Sequence, residues 1–168
     1  MCSSDLCRQL PLTEGPCADL GAGSGLLSRA LLQHHPQLPQ RPLLQLDLCP
    51  ELLSHNPLAS GGTGTAAGIV WDLNDGLPEG LRQAALLGSS FALQWLEQPG
   101  RQLEAWCRQL APGGWLVLAV PTAGSFPQWR QAAQRAQVPC SALCLPEAQG
   151  LIRSVRSEEH TSELQSHS

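Results

Sequence analysis

The 168-residue sequence contains no lysine, since all 10 of its basic residues are arginine. A phosphate-binding loop of the Walker type needs a lysine that contacts the nucleotide phosphates. A pyridoxal phosphate enzyme needs a lysine that forms a Schiff base with its cofactor. The absence of lysine therefore excludes both chemistries.

Charge is also scarce, because charged residues make up only 14% of the chain and the formal net charge is -4. Proteins that hold nucleic acid through its phosphates are normally basic, so we expect no nucleic-acid partner. No apolar run is long enough to cross a bilayer, and no charged-then-apolar leader opens the chain. The sequence predicts a cytoplasmic protein of one domain with no membrane partner.

Closely spaced metal-ligand pairs are missing as well. The seven cysteines include no C-x-x-C pair, and only Cys140 and Cys144 are near each other. A structural zinc site is normally built from such pairs. We therefore expect reduced thiols that behave as small apolar residues, and no metal.

What is present is a regular alternation of strand and helix patterns. Short apolar segments at 16–20, 42–47, 68–72, 84–89 and 115–120 predict five buried strands. Helical patterns follow residue 25 and occupy 50–54 and 103–110, and P-G-G at 112–114 is expected to end the third helix. A fourth helical pattern follows Ser125, which is a candidate cap, with Pro127 in the first turn. The alternation predicts an α/β fold with a doubly wound, mostly parallel sheet.

Three carboxylates fall at the ends of the first three predicted strands: Asp19, Asp47 and Asp72. The loop Gly21-Ala22-Gly23-Ser24-Gly25 follows the first of them. Ligands of such sheets bind at the carboxyl ends of the strands, and glycines allow close approach to the backbone. Asp47 suits a pair of ribose hydroxyls, and Asp72 can accept from the exocyclic amine of adenine. The pattern predicts a nucleoside ligand.

A dinucleotide is the competing ligand, but its G-x-G-x-x-G/A fingerprint requires a small residue where Leu26 stands. The sequence D-L-G-A-G-S-G at 19–25 instead resembles motif I of class I S-adenosylmethionine-dependent methyltransferases, and L-A-P-G-G-W-L at 110–116 is similar to a later motif of that family. The resemblance spans about residues 16–120. It implies a Rossmann-like fold, S-adenosylmethionine as cofactor, and a cofactor site made of Asp19, Gly21, Gly23, Gly25, Asp47, Leu48, Asp72, Leu73 and Ser89.

A finer resemblance concerns the methyl acceptor. The segments 89–96 and 123–126 resemble malonyl-[acyl-carrier protein] O-methyltransferase of biotin synthesis. This implies substrate contacts for Gln94 and Trp95 and an acyl carrier protein thioester as partner. A malonyl carboxylate is ionised at pH 7 and needs no general base, so no catalytic residue is named. Another small-molecule acceptor, an RNA acceptor and a non-catalytic nucleotide-binding remnant remain alternatives.

The resemblance also bears on the ends of the chain. The family has a helical segment before its first strand and two further strands after its fifth. We therefore expect residues 1–155 to be a fragment of a methyltransferase domain, with a sheet incomplete at both ends. Residues 156–168 lack periodicity and break from the preceding composition. We expect them to be a non-native, disordered tail.

Overall fold

The computed structural model describes residues 11–35, 37–59, 66–139 and 145–155. The predicted tail at 156–168 and the pair Cys140 and Cys144 lie outside these residues. The strands are β1 (Cys17–Leu20), β2 (Leu43–Asp47), β3 (Ala66–Val70), β4 (Ala84–Ser90) and β5 (Leu110–Ala119). The helices are α1 (Leu26–His34), α2 (Pro50–Ser54), α3 (Pro99–Arg108) and α4 (Pro127–Arg135), and 148–155 is also helical.

The five strands form one parallel sheet in the order β3-β2-β1-β4-β5. The chain lays β2 and β3 on one side of β1 and then crosses to the other side for β4 and β5. The strand order therefore reverses between β1 and β4, which is where doubly wound sheets bind ligands. The predicted α/β fold class is confirmed.

The central strand explains where the core lies. All four residues of β1 are buried, and successive side chains of this strand point to opposite faces of the sheet. Leu20 belongs to the apolar cluster on one face, together with Leu87 and Trp106, while Cys17 belongs to the cluster on the other face with Leu31. A parallel sheet covered on both faces needs this continuous apolar composition.

The P-G-G sequence does not end a helix as predicted. Helix α3 ends at Arg108, and the chain is already in β5 from Leu110 onward. The pairing of β5 with β4 shifts between Ala84 and Leu86, beside the two glycines. Gly113 has a φ of +76°, and a Cβ on Gly114 would lie 2.5 Å from the Ala84 carbonyl oxygen. The two glycines thus allow a shift in strand pairing inside β5.

Ser125 does not cap α4, so this expectation is wrong. The Ser125 hydroxyl accepts a hydrogen bond from the backbone N–H of Thr122 at 2.9 Å, which closes a turn before the helix. The N-cap position is taken by Phe126, and Pro127 stands in the first turn as predicted. The Ser125 hydroxyl thus bonds to a residue that precedes it in the chain and not to the first turn of α4.

None of the described helices is long and apolar enough to cross a membrane. In the same part of the chain, no three side chains of histidine, cysteine, aspartate or glutamate come together in a way that could hold a metal ion.

Candidate functional site

A cleft of about 400 Å³ opens at the carboxyl ends of β1, β2 and β3, and we call it the strand-end cleft. Six of the predicted cofactor residues line it: Gly21, Gly23, Asp47, Leu48, Asp72 and Leu73. Trp71, Phe91 and Trp95 add aromatic side chains to its walls. The structure therefore brings together residues that are up to 74 positions apart in the sequence, at the point where the strand order reverses.

Asp47 is the last residue of β2 and faces the cleft with both oxygens already oriented. Its Oδ2 accepts a hydrogen bond from the Gly23 N–H at 2.8 Å, and its Oδ1 accepts one from the Cys49 N–H at 2.9 Å. An ionised carboxylate offers about four acceptor positions, so about two remain for a ligand. The backbone thus fixes a carboxylate that can still receive a pair of hydroxyl groups.

The glycine loop bends sharply over the end of β2. The N–H groups of Gly21 and Ala22 both donate to the Leu46 carbonyl, at 2.8 and 2.9 Å. Gly21 has a φ of +75°, and a Cβ there would lie 2.2 Å from the Cβ of Ala92. Gly23 has a φ of +51°, but a Cβ there would meet nothing within 4 Å. Gly21 is needed for packing, while Gly23 leaves bare backbone facing open space.

Asp72 lies two residues beyond the end of β3, at the other side of the cleft. Its Oδ1 accepts hydrogen bonds from the backbone N–H of Asn74 at 2.8 Å and from the Asn74 side-chain amide at 3.0 Å. These bonds start the short 3₁₀ turn Leu73–Asp75 and hold the carboxylate at the cleft wall. Leu73 itself is buried and anchors the turn in the core.

Asp19 has a different position from the other two acids, because it lies behind the loop and is only 1% exposed. Its Oδ2 accepts hydrogen bonds from the Ser28 hydroxyl at 2.6 Å and the Ser28 N–H at 3.0 Å. Its Oδ1 is buried with no hydrogen-bond partner among the described residues. Burial raises the pKa of Asp19 to about 6, against the effect of the Ser28 bonds. Asp19 therefore holds the first turn of α1 to β1.

Gly25 and Ser89 also lie outside the cleft wall. A Cβ on Gly25 would stand 2.4 Å from the Oδ1 of Asn56, so this glycine makes room for a neighbouring side chain. The Ser89 hydroxyl is buried and donates to the Leu20 carbonyl at 2.8 Å, which links β4 to β1 beside the reversal of strand order. Both residues therefore make contacts within the protein: Gly25 with the Asn56 side chain and Ser89 with the Leu20 carbonyl.

Sequence reasoning missed two residues that support the loop from below, Gln45 and Asn56. Both are fully buried. The Asn56 side-chain amide donates to the Gly23 carbonyl at 3.3 Å and to the Gln45 Oε1, while its Oδ1 accepts from the Leu58 N–H at 3.0 Å. The available signal was a glutamine in a strand that is otherwise apolar until its final aspartate.

Gln94 and Trp95, the predicted substrate residues, follow β4 in the 3₁₀ turn Leu93–Trp95. They face different surroundings. Gln94 is buried, and its side-chain amide donates to the Phe91 carbonyl at 2.7 Å. Trp95 is 66% exposed and stands at the rim of the strand-end cleft.

The strand-end cleft fits an adenosyl ligand by the chemistry of its lining. Asp47 and Asp72 offer hydrogen-bond acceptors on two sides, for hydroxyl and amine groups. Leu48 and Leu73 supply apolar surface between them. The open space at Gly23 is the cradle that a side chain would fill.

Comparison with known proteins finds a matching family and similar relatives. Residues 18–118, more than half of the chain, match the family described as "Methyltransferase domain". The chain is 32% identical over 105 residues to the biotin biosynthesis bifunctional protein BioHC of Teredinibacter turnerae, covering 60% of this chain and 18% of that protein. It is 32% identical over 118 residues to trans-aconitate 2-methyltransferase of Mycobacterium tuberculosis, covering 70% of this chain and 41% of that enzyme.

A solved structure agrees with the sequence matches. The S-adenosylmethionine-dependent methyltransferase of Mesorhizobium loti is 28% identical, with a TM-score of 0.54 over 70% of this chain and 52% of that one. The chain spans less than half the length of the two curated relatives named above. The family match at 18–118 contains β2 to β4, most of β1 and β5, and the whole strand-end cleft. The chain belongs to the family of methyltransferase domains, whose cofactor is S-adenosylmethionine.

Proposed function

We propose that the chain forms the cofactor-binding part of an S-adenosylmethionine-dependent enzyme that methylates a carboxylate. The observation that carries the proposal is the single cleft in which Asp47, Asp72 and the bare backbone of Gly23 meet at the reversal of strand order. In this proposal Asp47 holds the ribose hydroxyls, Asp72 accepts from the adenine side, and Leu48 and Leu73 flank the base. Asp19, Gly25 and Ser89 position the loop from behind.

In the proposed reaction, the main task of the protein is to position the acceptor against the methyl group. When bound, S-adenosylmethionine supplies a methyl group on a positively charged sulfur, so the electrophile arrives already activated. The protein must hold the acceptor in line and exclude water. An ionised carboxylate has no proton to lose, and so a general base is unnecessary. The side chains that orient the acceptor then determine which compound is methylated.

The identity of the acceptor belongs to the same proposal. The relative from M. tuberculosis is named for trans-aconitate, which is a tricarboxylate, and the relative from T. turnerae is named for biotin biosynthesis. A malonyl thioester on acyl carrier protein is the finer candidate, supported by the resemblance of the segment containing Gln94 and Trp95. The two candidates share a carboxylate as the group to be methylated.

The proposal is tested by calorimetry of the full chain with S-adenosylhomocysteine. We expect binding to the unchanged chain, and loss of about ten-fold or more in affinity for Asp47→Ala, because hydrogen bonds to a charged group are removed. Asp75→Ala is the matched control, since Asp75 is exposed and lies outside the cleft lining. Equal affinities for the two variants would refute the site, and tight binding of NAD would favour the dinucleotide alternative.

A methyl-transfer assay then separates the acceptors. Radiolabelled S-adenosylmethionine is offered with trans-aconitate, with malonyl-acyl carrier protein or with RNA. We expect transfer to a carboxylate acceptor. Transfer to RNA alone would discard the carboxylate proposal while leaving the cofactor site intact.

A further inference from the structure

A second cleft adjoins the strand-end cleft and shares Phe91 and Trp95 with it. It has a volume of about 280 Å³ and lies between the segment that follows β4 and helix α4. We call it the aromatic cleft and define it by Phe91, Trp95, Phe126, Trp129 and Arg130. Because two side chains border both clefts, a molecule in the aromatic cleft would lie next to one in the strand-end cleft.

The exposure of its aromatic residues is unusual for a surface in contact with water. Phe91 and Phe126 are 56% and 57% exposed, and Trp95 and Trp129 are 66% and 64% exposed. Contiguous apolar surface of this kind marks a binding site more often than single scattered residues do. The four rings offer an apolar enclosure to a ligand with an apolar or planar body.

Backbone strain occurs at both phenylalanines of the aromatic cleft. Phe91 and Phe126 each have a φ of +56°, a left-handed conformation that bulky side chains rarely adopt. Each such residue costs on the order of 1–3 kcal/mol and tends to persist at functional sites. The two residues lie 35 positions apart in the chain, so the coincidence at one cleft is independent evidence for a site.

One positive charge stands beside the four aromatic side chains. Arg130 is half-buried, and its guanidinium donates to the Ala123 carbonyl, which anchors it beside the rings. The salt bridge found in the described part of the chain is between Arg82 and Glu79, so no described carboxylate neutralises Arg130. A guanidinium has five N–H donors and matches a carboxylate in geometry, so several donors remain for a ligand.

A buried acceptor atom, which would pair with an N–H or O–H group of a ligand, borders the same cleft. Gln94 also lines the aromatic cleft and is 8% exposed. Its amide nitrogen is engaged by the Phe91 carbonyl, while its Oε1 is buried with no partner among the residues that the structure describes. Unpartnered buried polar atoms are uncommon and call for an explanation in function.

From these observations we infer that the aromatic cleft is the acceptor site, and that Arg130 selects acceptors by binding a carboxylate while the four rings enclose the rest of the molecule. The inference rests on the proposed function, because it supplies the acceptor side of the same reaction. Two sources share this chemistry: a free polycarboxylate such as trans-aconitate, and a malonyl thioester. Arg130 is a specificity-determining residue in either case.

The test compares Arg130→Gln with Arg135→Gln, since Arg135 lies on the same helix but is exposed and outside the cleft lining. Calorimetry of the full chain, saturated with S-adenosylhomocysteine, uses trans-aconitate or malonyl-coenzyme A as the probe, and acetyl-coenzyme A as the probe without a carboxylate. We expect Arg130→Gln to weaken carboxylate binding about ten-fold or more, and Arg135→Gln to leave it unchanged. The Arg130→Lys variant keeps the charge and should retain more affinity than Arg130→Gln.

The outcomes separate this inference from the proposed function. Unchanged S-adenosylhomocysteine affinity in all three variants shows that they fold and that the cofactor site is intact. Equal binding of the carboxylate probes by Arg130→Gln and Arg135→Gln would overturn the inference alone, as would acetyl-coenzyme A binding as tightly as a malonyl-coenzyme A that does bind. Failure of the unchanged chain to bind S-adenosylhomocysteine would instead overturn the proposed function. Binding of trans-aconitate without malonyl-coenzyme A, or the reverse, identifies the source.

Discussion

Asp19 is expected to make the stability of the protein depend on pH, and replacing it with asparagine should remove that dependence. Asp19 is 1% exposed, and burial raises the pKa of its carboxyl from the usual 3.8 to about 6. The folded state therefore holds the proton more tightly than the unfolded state. The stabilisation from protonation is fully present below pH 3.8 and is lost as the pH rises through about 6.

The magnitude follows from the difference between the two pKa values. The folded value of about 6 and the unfolded value of 3.8 together correspond to about 3 kcal/mol over the whole transition. Between pH 7.5 and pH 5 the same two values give about 1.4 kcal/mol. The full value of about 3 kcal/mol is a large share of the roughly 5–15 kcal/mol by which ordinary domains are stable.

The assay is urea unfolding of the full chain at pH 5 and pH 7.5, followed by tryptophan fluorescence. The difference in unfolding free energy between the unchanged chain and Asp19→Asn should change by about 1.4 kcal/mol between the two pH values, with the unchanged chain relatively more stable at pH 5. Asp75→Asn, at an exposed site, controls for the loss of a carboxylate. A difference for Asp19→Asn that is the same at both pH values would show that Asp19 is not a buried, proton-binding carboxyl.

Two further predictions concern the contacts behind the glycine loop. Ser28→Ala removes a buried hydroxyl 2.6 Å from the Asp19 carboxylate, so it should destabilise the folded protein by about 1.5–3 kcal/mol and raise the pKa of Asp19 further. Urea unfolding should show a larger loss of stability at pH 7.5 than at pH 5. An equal loss at both pH values would contradict the coupling between Ser28 and the ionisation of Asp19. Gly25→Ala places a Cβ 2.4 Å from the Asn56 side chain at a φ of +80°, and thermal unfolding should show a loss of at least about 1 kcal/mol. Gly124→Ala, with nothing within 4 Å, should be neutral, and similar losses in both would refute the packing role of Gly25.

Much of the fold was predictable because its signals are local. Helix α2 begins and ends at the predicted residues, Pro50 and Ser54, since proline is suited to a first turn. The strands lie within a few residues of their predicted positions because a covered parallel strand is a short apolar run. The exception is the P-G-G segment, where glycine permits both a helix end and a strand irregularity. Only the neighbouring strand, through Ala84, decides between them.

The positions of the three acids were harder to predict, because they depend on the register between strands. Asp19 lies opposite Gln45, and Asp47 lies opposite Val70. Asp47 is therefore two residues farther along the sheet than Asp19, and Asp72 is two residues farther than Asp47. Each step of two residues is roughly 6–7 Å along the strand direction. A strand-end position in the sequence does not reveal this stagger.

The stagger separates a buried acid from the two acids that line the cleft. Asp19 and Gln45 are level with each other and buried beneath the loop, whereas Asp47 reaches the cleft. The even offset keeps Asp19 and Asp47 on the same face of the sheet, so the step changes only their depth. The buried level then needs partners for its polar atoms, and Ser28 and Asn56 supply them to Asp19 and Gln45. A shift of two residues in the pairing of β1 with β2 would bring Asp19 level with Asp47, so strand pairing decides which carboxylate is buried and which reaches the cleft.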